Sequence, residues 1–332
     1  MTESRHGLKV LIIGAAGMIG RKLTARLLAD GRLGRRELAE LVLADLVMPQ
    51  KPSSSIKVTT IASDLSESGA AAALVQHRPD LVFHLAAIVS GEAEADFDKG
   101  YRINLDGTRL LFEAIRRSEP ALKPRLVFTS SIAVFGAPFP ELIGDDFLTA
   151  PLTSYGTQKA ICELLLADYT RRGVFDGIGI RLPTICVRPG LPNKAASGFF
   201  SSIIREPLVG KEAVLPVDET VRHSHASPRA AVAFLIHAAT IDLDRLGTRR
   251  NLSMPGLSVT VGEQIEALRR VAGDAAVRRI RHQPDPLVER IVAGWPRAFA
   301  AERAEALGFS VERTFDDIVR IHIEDELGGK LP

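Results

Sequence analysis

Tyr155 and Lys159, in the run Tyr155-Gly156-Thr157-Gln158-Lys159, place a phenol and an ammonium four residues apart. On a helix these positions stand one above the other. Tyrosine titrates near pH 10 and is a poor base at neutral pH, but a neighbouring cation favours the phenolate and lowers that pKa. A phenol so tuned takes the proton from a substrate hydroxyl while hydride leaves the same carbon for an acceptor. An exposed helix pair has the same spacing, so the pair needs context. Phe128-Thr129-Ser130-Ser131 supplies it: the segment ends an apolar run just upstream and places Ser131 to hydrogen-bond the reacting oxygen.

The hydride acceptor is read from the other end of the chain. Leu8–Ile13 is apolar and runs into Gly14-Ala15-Ala16-Gly17-Met18-Ile19-Gly20. A strand, three glycines and then a helix build a phosphate cradle. Gly14 permits the turn, Gly17 lets backbone approach a pyrophosphate, and Gly20 lets helix and strand pack closely. The helix start at Met18 and Ile19 offers unpaired N–H groups and a partial positive charge. Leu41-Val42-Leu43-Ala44-Asp45 ends in an acid where ribose hydroxyls are held in a dinucleotide fold. A carboxylate there repels a 2′-phosphate, so Asp45 favours NAD over NADP. Asp64 and Leu65 follow the third strand and suit the adenine edge. Leu85, Ala86 and Ala87 end the fourth with small residues that let backbone lie against the cofactor. His84 reads as a structural hydrogen-bonder.

These groups require a particular scaffold. Apolar, β-rich runs at Leu8–Ile13, Glu40–Ala44, Lys57–Ile61, Asp80–Leu85, Arg125–Ser130 and Gly177–Pro183 alternate with helical patterns at Met18–Ala29, Glu67–Gln76, Asp96–Arg117 and Ser154–Arg172. That is a Rossmann-type, doubly wound parallel α/β sheet. After Pro183 the texture changes. The Pro-, Gly-, Ser- and Asn-bearing stretch 184–227 reads as substrate loops rather than sheet, followed by a helix at Pro228–Thr240 and a short strand at Arg250–Ser253. From Val261 the chain is helical with Arg-rich faces, read as solvated surface. The expected division is an NAD-binding domain at 1–183, joined by 226–254. A smaller, mainly helical substrate lobe comprises 184–225 and 255–332.

Composition narrows the classes. The 332 residues are 46% hydrophobic and 25% charged, with a net charge of +2. This is ordinary for a globular enzyme and argues against nucleic acid or a membrane as partner. No apolar run approaches the roughly 18 residues that span a bilayer. The polar start, Met1 to Gly7, does not resemble a signal peptide. Cys162 and Cys186 lie far apart without metal-ligand spacing and read as buried small hydrophobes. A cytoplasmic location is expected. His223 and His225 fall on one face of an extended segment, but no third ligand accompanies them, so no metal is expected.

The segments Gly14-Ala15-Ala16-Gly17-Met18-Ile19-Gly20, His84-Leu85-Ala86-Ala87, Asn104-Leu105-Asp106-Gly107-Thr108, Phe128 to Gly136 and Tyr155 to Lys159 resemble, in order, the extended short-chain dehydrogenase/reductase family of epimerases and dehydratases. The resemblance implies a catalytic set of Ser131, Tyr155 and Lys159. It further implies that Asn104 supports the active-site helix and its proton relay, that Asn104 and Pro183 belong to the cofactor site, that Lys159 binds the nicotinamide ribose, and that the protein is a homodimer. Dehydratases of the family carry Asp-Glu where this chain has Ser130-Ser131, which disfavours elimination. The run Arg222-His223-Ser224-His225 departs from the substrate-lobe pattern of nucleotide-sugar enzymes.

Further segments, Thr153 to Ala160, Arg181 to Gly190, Ala195 to Phe200 and Pro255 to Thr260, resemble the D-erythronate dehydrogenases of this family. That implies NAD-dependent oxidation of a small 2-hydroxy sugar acid at C2. Such an acid needs a cation or several N–H donors for its carboxylate and polar groups for its hydroxyls. Ser90, Ser131, Tyr155, Thr184, Arg188, Asn193 and Ser197 are the substrate candidates, with Lys194, Arg222, His223 and His225 nearby in sequence. The alternatives are a nucleotide-sugar 4-epimerase and a non-catalytic NAD-sensing protein.

Overall fold

The computed structural model describes residues 7–190 and 196–331. Strands β1 (Leu8–Ile13), β2 (Arg36–Asp45), β3 (Lys57–Ala62), β4 (Leu81–His84), β5 (Arg125–Ser131) and β6 (Asp176–Leu182) are followed by β7 (Thr184–Ile185), β8 (Arg222–Ala226), β9 (Asn251–Ser253) and β10 (Leu257–Thr260). An eight-stranded sheet takes the order β9-β6-β5-β4-β1-β2, with β3 beside β2. All of these neighbours are parallel; only Arg32–Leu33 pairs antiparallel with β2.

Strands buried on both faces explain the continuous apolar runs. In β1, Val10 and Ile12 enter one core while Leu11 and Ile13 enter the other, as the period of two demands. The helices supply the covers. Helix α1 (Met18–Asp30) buries Leu23 and Leu27 on the first face. Helices α2 (Gly107–Arg116) and α3 (Ser154–Arg171) bury Phe112, Ile115, Cys162 and Leu166 on the second. The Rossmann-type expectation holds.

Two regions differ from the sequence reading. Between 184 and 227 the chain is not loop alone. It forms β7, β8, a strand at Ala213–Leu215 and helix α4 (Gly198–Leu208). Phe199, Phe200, Ile203, Ile204 and Leu208 give α4 a buried stripe at helical spacing, which the flanking Ser and Gly residues obscure. Helix α5 (Pro228–Thr240) then returns to the sheet's first core. A second apolar core unites α4, helix α6 (Val261–Ala272) and helix α7 (Phe315–Glu326). The expected single helix Asp96–Arg117 is instead a short α turn, a π-helical stretch at Tyr101–Asp106 and α2. Such wide turns often mark functional positions. The Arg269 and Arg270 face of α6 is spent on ion pairs with Glu266, Asp274 and Asp316.

A buried ionic network locks α3 to the sheet. Arg181 on β6 donates to both oxygens of Glu163 at 2.9 and 2.7 Å, and the Ser130 hydroxyl donates to Glu163 Oε1 at 2.6 Å. Removing Glu163 leaves a guanidinium enclosed without its counter-charge. Glu163→Ala is therefore expected to lower stability by about 3–5 kcal/mol. The double replacement Glu163→Met/Arg181→Met should recover most of that loss in urea unfolding. A single variant as stable as the native protein would refute the assignment.

Candidate functional site

The parallel strands deliver Gly14, Leu85, Ser131 and Pro183 to one edge of the sheet, at or just beyond their carboxyl ends. Successive strands are added in opposite directions on the two sides of β1 and β4, and open α/β sheets bind ligands at such a switch point. Gly14 has φ +93°, and a side chain there would sit 2.6 Å from the Ala86 nitrogen. At Gly20 it would sit 2.2 Å from the Gly14 carbonyl oxygen. Gly17 caps α1 with no side-chain bond, and no acid occupies the first turn. Among the described residues no side chain caps the N–H groups at Met18 and Ile19, which leaves the helix start open to an anion.

Asp45 ends β2 half-buried, and its Oδ2 accepts the Ala16 N–H at 2.9 Å, which holds the carboxylate against the glycine turn. The cradle fits NAD, with Gly14 to Gly20 for the pyrophosphate and Asp45 for the adenosine ribose. Leu85, Ala86 and Ala87 lie half-buried beyond β4, and the Leu85 N–H is bonded to Ile13 at 2.8 Å. Asp64 accepts from Ser66 N at 2.9 Å and Arg102 at 3.1 Å, and these bonds hold its carboxyl below its ordinary pKa against the opposing effect of burial. Leu65 is buried in the core against α2.

Asn104 sits in the π-helical turn. Its side chain accepts from Ile88 N at 2.9 Å and donates to Gln158 at 2.7 Å. It thus clips the loop after β4 to α3. The Thr153 hydroxyl caps α3 by accepting the Gly156 N–H at 3.1 Å. Lys159, one turn further, is buried. Its ammonium donates to the Thr129 carbonyl at 2.8 Å and lies 4.7 Å from the Phe128 ring centroid and 5.7 Å from that of Tyr155. Burial lowers the Lys159 pKa to about 8, against the pull of Cys162 and Glu163. His84, also buried, bonds to Thr108 at 2.8 Å. Burial, assisted by Lys159, lowers its pKa to about 3, so the ring is neutral.

Burial raises the Tyr155 phenol, while the Ser131 hydroxyl and the Arg188 guanidinium oppose the rise. In the free protein the cation acting on the phenol is thus Arg188, with Lys159 behind the ring. Ser130 is buried and bonded to Glu163, whereas Ser131 faces the cavity. A cavity of about 190 Å³ brings together Ser90, Ser131, Tyr155, Thr184, Arg188 and Ser197. Pro183 lines it, while Asn193 and Lys194 lie outside the described residues. The guanidinium donates through Nε to the Ile185 carbonyl at 3.1 Å, and among the described residues no carboxylate pairs with it.

His223 and His225 do share one face of β8, but both are packed in aromatic surroundings with Phe200. Phe135, Trp295 and Pro296 also wall the cavity; Phe135 falls within the Phe128–Gly136 segment, whereas no sequence motif marks Trp295 or Pro296. The only available signal is that Trp295 is the single tryptophan of the chain.

Comparison with known proteins places this geometry among relatives. Residues 10–240 match the model of the NAD dependent epimerase/dehydratase family. The D-erythronate dehydrogenase of Cupriavidus necator is 48% identical over 322 residues, covering 96% of this chain and 98% of that protein. The D-erythronate dehydrogenase of Haemophilus influenzae is 42% identical over 96% of this chain and 100% of its own. The crystal structure of a nucleoside-diphosphate-sugar epimerase from Agrobacterium tumefaciens superposes with a TM-score of 0.96 at 64% identity, covering 100% of this chain and 98% of that one.

Two outcomes follow from the charges. Asp45→Asn keeps an oxygen for the Ala16 N–H but removes the charge. It should lower the preference for NAD over NADP by about tenfold, a ~1.4 kcal/mol effect, in paired coenzyme titrations. His84 titrates at about 3 and His223 at about 4, both depressed by burial. Between those values and 6.5 the unfolded chain binds protons that the native ring refuses. Stability contributed by these rings is therefore present above pH 6.5 and lost as pH falls, by up to about 1.4 kcal/mol per residue per pH unit. Urea midpoints taken from pH 7 to pH 5 measure the slope; a flat profile would remove both assignments.

Proposed function

The chain belongs to the NAD dependent epimerase/dehydratase family, and from that footing we propose that it is a dehydrogenase that oxidises the C2 hydroxyl of a small sugar acid, D-erythronate. The observation that carries the reading is Arg188. A guanidinium without a carboxylate partner among the described residues faces the Tyr155 phenol inside a cavity only about 190 Å³ in volume. That volume is well below the roughly 300–1,000 Å³ of pockets for drug-sized ligands. It suits a four-carbon acid.

NAD, when held by the glycine turn, would supply the acceptor for hydride from C2. Arg188 binds the substrate carboxylate through paired N–H donors, which fixes the position of C2. The Ser131 hydroxyl donates to the C2 oxygen, and Tyr155 Oη takes the proton from that oxygen as the carbonyl forms. The bond between C2 and hydrogen and the bond between oxygen and hydrogen break together, and the C2–O π bond forms. Lys159 holds positive charge behind the phenol from its seat on Thr129. A buried acid/base set is of no use to a non-catalytic sensor, which favours turnover. The homodimer implied by the family resemblance belongs to the same proposal and is read by sedimentation.

Purified protein with NAD and D-erythronate should form NADH, while UDP-glucose and UDP-galactose should not. Tyr155→Phe should keep NAD affinity and lose roughly 100- to 10,000-fold in kcat, the usual range for a lost general base. Arg188→Met should raise KM for the acid by more than about tenfold, in line with a lost charge-assisted pair. UDP-sugar interconversion without NADH formation would replace the dehydrogenase with the 4-epimerase.

A further inference from the structure

Thr184 and His223 stand on the adjacent strands β7 and β8, and one cavity touches both. The Thr184 hydroxyl lies 2.8 Å from His223 Nε2. On the opposite side of the ring, Nδ1 lies 3.0 Å from the Pro296 carbonyl oxygen. A carbonyl only accepts, so Nδ1 carries the ring's hydrogen and donates it to Pro296. Burial drives the His223 pKa down to about 4, against the contrary effect of that carbonyl bond, so at neutral pH the ring holds no second hydrogen. Nε2 is then a lone pair, and Thr184 must donate to it. A hydroxyl has one hydrogen to give, so Thr184 turns only oxygen lone pairs to the cavity.

The ring is not free to rearrange. It is 3% exposed, stacked on Phe200 at 5.3 Å and 3°, and packed 5.3 Å from Trp295. The tautomer is therefore built into the wall that closes the site.

We infer that His223 is a positioning residue that makes Thr184 an obligate acceptor, so that the cavity selects acids bearing a second hydroxyl donor over simple 2-hydroxy acids. This specificity rests on the dehydrogenase reading given above. An acid lacking the second hydroxyl strands the Thr184 oxygen without a donor, and sites built to bond a substrate hydroxyl reject analogues without it strongly.

The test compares kcat/KM for D-erythronate with that for its 3-deoxy and 4-deoxy forms, in native protein, Thr184→Val and His223→Phe. In native protein one deoxy acid should be worse than D-erythronate by at least about thirtyfold. In Thr184→Val that ratio should shrink to about threefold or less. In His223→Phe, which keeps an aromatic ring but no lone pair, it should fall between the two, with KM moving more than kcat. Each ratio compares two substrates on one sample, so a partly folded variant does not distort it. Nitrogen NMR of the native protein reads the tautomer without any substrate, and hydrogen on Nδ1 is expected. Hydrogen on Nε2, or a ratio unchanged in Thr184→Val while D-erythronate is still oxidised, overturns this inference alone. Failure to oxidise any of the three acids overturns the dehydrogenase reading and the selectivity with it.

Discussion

One ammonium, that of Lys159, is kept in the interior on a backbone carbonyl and two aromatic faces instead of a salt bridge. Enclosing a charge this way costs several kcal/mol, and the lowered pKa records the strain on it. The arrangement survives only if α3 is held rigidly over the ends of β5 and β6. Four ties do so along the helix. Thr153 caps it, Gly156 lets it settle where a side chain would strike the Ala133 carbonyl at 2.1 Å, Asn104 holds Gln158, and Glu163 binds Arg181 and Ser130. The charge also reaches across the sheet to His84, helping to keep that ring neutral.

The same rigidity separates two electrostatic neighbourhoods around Tyr155. Behind the phenol lies Lys159, fixed and dry. In front lies Arg188, itself depressed by burial and poised at the cavity. The free protein leaves the phenol protonated, with its pKa above the ordinary value. In the proposed mechanism activation is thus a property of the loaded site rather than of the chain alone, because bound ligands change the balance of charge at the cavity.

The Rossmann-type fold was legible from the chain because its signals are local. β1 is apolar but for the exposed Lys9, Gly14 and Gly20 sit where backbone meets backbone, and Tyr155 and Lys159 share one helix face. The family resemblance points to Ser131 rather than Ser130, and in the structure the two differ: one faces the cavity and the other a buried carboxylate. What escaped was long-range or masked by composition. The stripe of α4 hides among Gly and Ser, the π-helical turn at Asn104 has the same apolar pattern as an ordinary helix, and the wall at Trp295–Pro296 is far along the chain from the strands it covers. The pairing of Arg188 with the phenol depends on folded distance, which no spacing encodes.

The second core draws on residues from Cys186 to Val217, Val261 to Val292 and Phe315 to Ile323, whereas Ala226 to Met254 and Ala301 to Phe309 pack into the first. The two bodies are therefore braided along the chain. During synthesis, seven of the sheet's eight strands have been made once Leu182 is formed, and N-terminal units fold first as a chain emerges. The second core, by contrast, is not complete until α7 leaves the ribosome. A nascent chain thus passes through a long stage in which most of the sheet exists while neither core is closed, since the first waits for Phe309 and the second for α7.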